Sequence, residues 1–189
     1  MANDKLTNLL FYDDFKEEVG KVISKTDKNR YILMSGNISN FKYINNMYGY
    51  EQGDYLLKLV ADFFMADVDN CIVGCRMHSD RFLSLVRMDE SNEKEVMETV
   101  EQLLSRFIDV VSPDFPLANI HLNCGAYIIR EEDKNVSEIV DKAEMARKSA
   151  KDNYLTSLVF YNDKIEEKAR MEREIIPMFE RALKDNRIL

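Results

Sequence analysis

The spacing of apolar residues changes repeatedly between a helical period and short continuous runs, which predicts helices interleaved with strands. Helical spacing extends over 9–24, 54–66, 91–111, 135–153 and the charged region from 162 onward, which Pro177 is expected to interrupt. Short apolar runs typical of buried strands occupy 31–38, 117–129 and 157–161, and 71–87 has the pattern of a two-stranded hairpin. A short helix and a turn are expected after 38. The predicted order is therefore α-β-α-α-β-β-α-β-α-β-α.

This order of elements indicates the fold class. A hairpin between helices is incompatible with a doubly wound parallel sheet, because a hairpin joins antiparallel neighbours. The chain has 189 residues, of which 46% are apolar, enough for one domain with a substantial core. We therefore expect an α/β (α+β) domain with a mixed central β-sheet ringed by helices.

Charge and cysteine content narrow the function classes. The net charge of −8 and the pI near 4.9 argue against binding of a nucleic-acid polymer or a membrane surface. No apolar run approaches the roughly 20 residues that span a bilayer, so no membrane insertion is expected. Three cysteines, an odd number, argue against a secreted disulfide framework. These features predict a protein of the reducing cytoplasm.

The predicted hairpin, CIVGCRMHSDRFLSLV, carries an unusually polar turn from His78 to Arg81. Neither standard glycine-rich nucleotide loop is present in the chain. Cys71, Cys75 and His78 have a spacing compatible with zinc, and both cysteines are expected on one side of a strand. No fourth ligand is evident nearby, so the cysteines are better explained as small buried hydrophobes. His121, on a predicted strand, is interpreted as a structural histidine.

Four motifs, in the same order and spacing, resemble those of the GGDEF (diguanylate cyclase) family across roughly residues 4–161. The opening DKLTNLL is similar to Asp-x-Leu-Thr-Gly-Leu, and NISNFKYINNMYGYEQGDYLL, which begins at Asn37, is similar to Asp-x-Asp-x-Phe-Lys-x-Ile-Asn-Asp-x-x-Gly-His-x-x-Gly-Asp-x-x-Leu. CRMHSDRF stands where the family has Arg-x-Gly-Gly-Asp-Glu-Phe. VDKAEMARKSAKDN stands where it has Ala-Asp-x-Ala-Leu-Tyr-x-Ala-Lys-x-x-Gly-Arg-Asn.

The resemblance implies a fold and a chemistry. The family has a palm-like fold similar to that of nucleotidyl cyclases and polymerases, and it condenses two GTP molecules, one per subunit of a dimer, into cyclic di-GMP. Because a 3′-hydroxyl attacks an α-phosphate, divalent ions such as Mg²⁺ must hold the triphosphate and activate the hydroxyl. Such ions require carboxylates held close together.

Several positions match residues that bind nucleotide or metal in the family. Asn45 and Asp54 match the pair that hydrogen-bonds guanine, and Lys148 matches the lysine that reaches the phosphates. The backbone from Ile38 through Phe41 to Lys42 matches the triphosphate cradle, and the Ile38 backbone also lies at the metal position. Asp80 matches the metal-binding acid, and Phe82 matches the phenylalanine that ends the signature.

Other positions depart from the family. Asn37 stands where the first metal-binding aspartate is expected, and Arg81 replaces the glutamate of the signature. His78 and Ser79 replace both glycines. Further departures, each at a position where the family has a different residue, are Ser39, Asn46, Tyr50 and Asp152. The product-inhibition motif Arg-x-x-Asp, which would fall at 69–72, is replaced by DNCI.

These departures weaken the implied metal site. A guanidinium about 5 Å from a divalent ion would repel it by about 6 kcal/mol at an effective dielectric constant near 20. We therefore expect no catalytic residues and a regulatory module of cyclic di-GMP signalling that binds GTP, with Arg81 contacting phosphate and Mg²⁺ present only with nucleotide. Two alternatives stay open: a weak diguanylate cyclase that uses Asp80, and a dimerisation or protein-interaction domain with a vestigial pocket.

The C-terminal region suggests a domain boundary. Residues 1–162 are expected to form the GGDEF-like domain, and 163–189 are expected to form a connector helix. The ending FERALKDNRIL resembles the start of an EAL domain, the family that hydrolyses cyclic di-GMP. The expected partners are therefore GTP, a C-terminal EAL domain and a second copy in a homodimer. An ordinary helix packed on its own domain is the alternative.

Overall fold

A computed structural model describes residues 3–25, 30–65, 71–88, 93–151 and 158–184, which form six helices and five strands. In chain order the elements are α1 Tyr12–Ile23, β1 Tyr31–Ile38, α2 Phe41–Tyr48, α3 Tyr50–Phe64, β2 Cys71–His78, β3 Arg81–Arg87, α4 Glu93–Val111, β4 Leu122–Ile128, α5 Val136–Lys151, β5 Leu158–Phe160 and α6 Asp163–Lys184. A short 3₁₀ helix, Ser112–Asp114, follows α4. The predicted order of helices and strands is confirmed.

The five strands form one mixed sheet in the order β2-β3-β1-β4-β5. The central strand β1 is antiparallel to both β3 and β4, and β5 is parallel to β4. The α/β class with a mixed central sheet is thereby confirmed, and the hairpin of β2 and β3 lies at one edge.

Helices cover both faces of the sheet, because the central strand is apolar on both sides. Ile32, Met34 and Ile38 belong to the apolar cluster beneath α3 and α4, whereas Tyr31 and Leu33 belong to the cluster beneath α1 and α5. Since side chains alternate along a strand, the polar residues at positions 35 and 37 fall on the α5 face. This alternation sets the position of the candidate site.

Some predicted boundaries are wrong. β4 begins at Leu122 and not at 117. Phe115 and Ile120 are buried, but they belong to an irregular segment that reaches the core without being part of a strand. His121 therefore precedes the strand. The turn expected after α2 is reduced to Gly49, whose φ of +88° allows α3 to start at once.

Pro177 does not interrupt α6, which extends from Asp163 to Lys184. A proline inside a helix removes one N–H donor from the ladder. Arg173, four residues earlier, lies on an exposed part of the helix, so water can bond the carbonyl that loses its donor. No helix in the described ranges is long and apolar enough to cross a membrane.

The two cysteines of the possible zinc spacing lie on opposite faces of the sheet. Cys71 pairs with Val86, and its thiol donates to the Phe64 carbonyl at 3.4 Å, whereas Cys75 lies in the cluster beneath α1 and α5. A bulge between Cys71 and Val73 shifts the register by one residue and so reverses the face. Among the described residues, no cluster of three or more His, Cys, Asp or Glu side chains could hold a metal ion.

Candidate functional site

The turn between β2 and β3 brings Asp80 to the end of β1. Ser79, the first residue of this two-residue turn, has a φ of +53°, in the left-handed region that glycine adopts without strain. Asp80 Oδ2 accepts hydrogen bonds from the Ile38 N–H at 3.1 Å and from Asn37 Nδ2 at 3.2 Å. The two candidate metal-site side chains are therefore in direct contact.

The orientation of the Asn37 amide is determined by Arg147. An Arg147 Nη1 donates to Asn37 Oδ1 at 2.6 Å, and because arginine can only donate, the amide oxygen must face it. Asn37 Nδ2 consequently points the other way and donates to the Ile38 carbonyl oxygen and to Asp80 Oδ2, each at 3.2 Å. The neutral Nδ2 group of Asn37 thus lies between the Ile38 carbonyl oxygen and the Asp80 carboxylate, the two oxygens that a metal ion would otherwise share.

Arg147 itself is held by Glu144, one helical turn earlier on α5. The guanidinium makes two bonds to the carboxylate, Nη2 to Oε2 at 2.8 Å and Nε to Oε1 at 3.1 Å. Arg147 is 4% exposed and Glu144 is 9% exposed. Burial raises the pKa of Glu144, but hydrogen bonds from Arg147 and from the buried Ser35 hydroxyl outweigh it and leave that pKa below its ordinary range. The pair is therefore ionised in the fold.

Two further residues complete the network. Asn123 on β4 donates to Ser39 Oγ at 2.7 Å and approaches Asn37 Oδ1 at 3.5 Å. Arg81 lies 3.6 Å from Glu144 Oε2, with 38% of its side chain exposed. Arg81 therefore points to the Glu144 side of the site and keeps an accessible surface.

The Mg²⁺ that the resemblance implies does not fit this arrangement. Its expected ligands are the side chain at position 37, the Ile38 carbonyl and the Asp80 carboxylate. All three are hydrogen-bonded through one amide group, and the guanidinium of Arg147 contacts the same amide. Divalent hard cations need anionic oxygens, whereas here the Asp80 carboxylate faces a neutral amide whose oxygen is bonded to the buried Arg147.

The residues that match the guanine pair lie on neighbouring helices. Asn45 on α2 packs against Gly53 on α3 so closely that a Cβ at position 53 would lie 1.8 Å from Asn45 Oδ1. Asp54 is the next residue and is exposed, as is Lys42. Phe41 is half-buried and lies against the same glycine. The structure therefore brings Asn45 and Asp54 to one helix–helix junction.

The remaining predicted residues lie apart from this junction. Lys148 is exposed on α5 and lines an open groove against Ile165 and Ala169 of α6. His78 is exposed at the end of β2. Phe82 is fully buried and stacks on Phe64 at 5.7 Å, so its role is in the core. Asp152 lies outside the described residues.

Sequence reasoning missed the two residues that define the site, Glu144 and Arg147. A signal was present, because both lie on the alanine-lined face of α5, three residues apart, where a buried helix face is normally apolar. The motif that VDKAEMARKSAKDN resembles has leucine and alanine at these positions. Ser35 and Asn123 were also missed, since polar residues within an apolar strand give no pattern of their own.

Comparisons with known proteins agree with the fold and the motifs. A sequence model of the family described as "Diguanylate cyclase, GGDEF domain" matches residues 1–155. The chain is 22% identical over 185 residues to the bifunctional diguanylate cyclase/cyclic di-GMP phosphodiesterase MucR of Pseudomonas aeruginosa, covering 98% of the chain and 27% of that protein. It is 24% identical over 151 residues to the probable diguanylate cyclase DgcT of Escherichia coli, covering 79% and 33%. The chain thus spans about a third or less of these relatives.

Solved structures show the same fold. The GGDEF domain of TpbB (YfiN) from Pseudomonas aeruginosa superimposes with a TM-score of 0.73 at 17% identity, covering 89% of this chain and 99% of that one. The GGDEF domain of DgcB from Caulobacter crescentus, in complex with c-di-GMP, superimposes with a TM-score of 0.67 at 19% identity, covering 84% and 94%. With the family match over most of its length, this chain belongs to the GGDEF domain family.

Proposed function

We propose that this protein is a non-catalytic GGDEF domain that binds GTP without metal and acts as a regulatory module of cyclic di-GMP signalling. One observation carries the proposal: the Asn37 amide, oriented by Arg147, bonds the two oxygens that would share a metal ion. Since activation of a 3′-hydroxyl at neutral pH depends on such an ion, condensation of two GTP molecules is not expected.

The support for GTP binding comes from groups that remain accessible. Asn45 and Asp54 present an amide and a carboxylate at the junction of α2 and α3, chemistry that suits the donor and acceptor edge of guanine. Lys42 is exposed on α2, and Arg81 keeps part of its guanidinium accessible. Arginine binds phosphate oxygens with two parallel hydrogen bonds, and lysine binds them as a point charge. We therefore assign Arg81 and Lys42 to the triphosphate.

The regulatory role rests on the relatives and on the end of the chain. MucR is named as both a cyclase and a cyclic di-GMP phosphodiesterase, and this chain spans 27% of its length. We assign residues 1–162 to the GGDEF domain and the helix from Asp163 to a connector that leads to a C-terminal EAL domain in the cytoplasm. Nucleotide occupancy of the first domain would then bias the activity of the second.

A nucleotide titration tests the binding. GTP should raise the melting temperature equally in EDTA and in Mg²⁺, and at 100 times the dissociation constant it should add about 2.7 kcal/mol of stability. ATP should have a much smaller effect. Asp54→Asn should abolish the GTP effect, whereas Asp62→Asn, an equally exposed aspartate on the same helix, should retain it. Absence of a shift at millimolar GTP would favour an interaction domain with an empty pocket.

A turnover assay tests the non-catalytic assignment. Incubation with GTP and either Mg²⁺ or Mn²⁺ should yield no cyclic di-GMP, even after hours and at high protein concentration, where a dimer would form. Clear product formation that is lost in Asp80→Asn would instead establish the weak cyclase. Binding and turnover are measured separately, so one half of the proposal can fail without the other.

A further inference from the structure

A cavity of about 280 Å³ lies on the face of the sheet opposite to the one where Asn37 contacts Arg147. Its floor is formed by neighbouring residues of β1 and β3, namely Met34 beside Ser84 and Ile32 beside Val86. Asn37 and Asp80 lie at the other end of these strands and face α5. The cavity is therefore separate from Asn37 and Asp80, and Asp54 lies near the start of α3, whereas Phe63 and Phe64 of the cavity lie at its end.

The cavity exists because a small residue occupies the centre of its floor. Ser84 pairs with Met34 on one side and with Gly74 on the other, so this row of the sheet carries little volume. Above it, Phe63 belongs to α3 and Val100 to α4, and both are only half-buried because they border the space. The cavity is open to solvent on one side, where the exposed residues Arg87 and Thr99 line it.

One buried polar side chain, Ser84, faces the cavity, while Arg87 and Thr99 line it from exposed positions. Ser84 is 1% exposed, and no side-chain hydrogen bond joins it to the described residues. Within the same residues, every fully enclosed side-chain nitrogen or oxygen has a partner, so the Ser84 hydroxyl is open to the cavity. Buried hydroxyls are normally hydrogen-bonded. The floor thus offers one donor and one acceptor in apolar surroundings.

We propose that this cavity binds a fused bicyclic aromatic molecule that carries one N–H or O–H group. A cavity of about 150 Å³ lined by apolar residues holds benzene, so 280 Å³ admits about ten non-hydrogen atoms. The aromatic ring lies against Phe63 and Phe64, and the polar group bonds the Ser84 hydroxyl. Ligand sites of this kind combine an apolar lining with a few placed polar groups.

Indole is the probe. At ten times its dissociation constant, indole should raise the melting temperature of the full chain by about 3–6 °C. Val100→Trp fills the cavity and should abolish the effect. Val110→Trp, on the same helix but 70% exposed, should retain it. Because the natural chain has no tryptophan, emission from the Val100→Trp variant, blue-shifted relative to that of Val110→Trp, reports that the cavity is filled.

A second variant decides the result if Val100→Trp fails to fold. Ser84→Ala should weaken indole binding about 3- to 10-fold and leave indene, the analogue without an N–H, unchanged. The proposal is overturned if indole gives no saturable shift, if Val100→Trp binds as well as the natural chain, or if Ser84→Ala affects both probes equally. None of these outcomes depends on GTP, so the proposed function is tested independently.

Discussion

Two hydrogen-bonded networks include residues of α5, and each of them pairs a carboxylate with a cationic side chain. Their roles in the molecule differ. In the first, Glu144 and Arg147 are almost fully buried, Glu144 accepts from Arg147, and Arg147 also donates to the Asn37 amide oxygen. In the second, Lys142 bonds the buried Asp133 at 2.7 Å and keeps 28% of its side chain exposed. The first occupies the place of a metal site, whereas the second joins the β4–α5 loop to the helix.

The second network stabilises the fold and is accessible to water at Lys142. Asp133 accepts bonds from the Tyr127 hydroxyl at 2.8 Å and from the Arg130 N–H at 2.7 Å. Burial raises the pKa of Asp133, but the hydrogen bonds from Lys142, Arg130 and Tyr127 outweigh it and leave that pKa below its ordinary range. Burial lowers the pKa of Lys142, but its bonds to Asp133 and Tyr127 raise it to about 12.

The difference between the networks lies in which acceptors they use. Asp133 accepts hydrogen bonds from Tyr127 and Arg130 besides the one from Lys142, so loss of Lys142 leaves those bonds in place. The first network includes Asp80, the one acid retained at the expected metal position, through the amide of Asn37. A polar network that satisfies every member rigidifies its surroundings. In the proposed function it also excludes a metal ion, and it does so with residues far apart in sequence.

The largest expected effect comes from removing the buried cation. Arg147→Met keeps most of the volume but removes the two hydrogen bonds that pair the buried Glu144 carboxylate. Glu144 then keeps the Ser35 hydroxyl and the part-exposed Arg81 at 3.6 Å, so we expect a loss of about 3 kcal/mol of unfolding free energy. Glu144→Leu with Arg147→Met removes both charges and should cost only about 1–2 kcal/mol, mainly through lost bonds to Ser35 and Asn37. Urea unfolding of the two variants measures the difference.

Equal losses in the single and double variants would contradict this account, because the cost would then lie in packing and not in the loss of the cation that pairs with Glu144. Lys142→Met provides the matched comparison on the second network. Asp133 keeps two hydrogen bonds in that variant, so we expect a loss of about 1–2 kcal/mol. A loss as large as that of Arg147→Met would remove the distinction between the networks.

The next effect tests whether the Asn37 amide replaces a metal. Asn37→Asp keeps a bond to Arg147 but turns its second oxygen toward Asp80 and the Ile38 carbonyl, where an amide donor lay before. The repulsion should cost about 1–3 kcal/mol without metal. Mg²⁺ should restore much of this loss, because the variant gathers three oxygens around one point.

Thermal unfolding with increasing Mg²⁺ measures this effect, with the natural chain as the control. The natural chain should show no more than the general effect of salt, which CaCl₂ and NaCl at equal ionic strength would reproduce. If Asn37→Asp responds no more strongly than the natural chain, then Arg147 alone is sufficient to exclude the ion, and the amide is not the determining group.

Acid stability distinguishes the second network further. The folded pKa of Asp133 lies below its ordinary value, so its contribution is fully present above about pH 4 and is lost as the pH falls through the folded pKa. Lys142→Met removes the hydrogen bond from Lys142, which is one of the causes that lower the pKa of Asp133. The free-energy difference between the natural chain and this variant should therefore shrink below pH 4, which urea unfolding at pH 7, 4 and 3 measures. A constant difference would show that Lys142 acts by packing.

The spacing of apolar residues was enough to predict the order of helices and strands, because each element buries one face and so carries the pattern within its own stretch of sequence. The face of Cys71 could not be predicted, since it depends on a bulge whose register is set by β3. Asn37 and Asp80 could be predicted as neighbours from the resemblance. The bond from Arg147 to Asn37 could not be predicted, because it needs β1 and α5, more than 100 residues apart, to meet at one point.

The smallest effect concerns the turn that carries Asp80. Ser79 has a φ of +53°, which costs an L-residue about 1–2 kcal/mol, whereas glycine adopts it freely but loses more entropy on folding. Ser79→Gly should therefore stabilise the fold by about 0.5–1 kcal/mol. Its exposed side chain makes no bond in the described part of the chain, so little is lost with it.

Asn40 is the control for this change, because it has a similar φ of +54° and is also exposed. Asparagine tolerates the left-handed region better than serine, so Asn40→Gly should gain less than Ser79→Gly. Ser79→Gly should still yield no cyclic di-GMP, since a freer turn leaves the Asn37 amide and Arg147 in place. Product formation in this variant would mean that the turn, and not the network on α5, had closed the site.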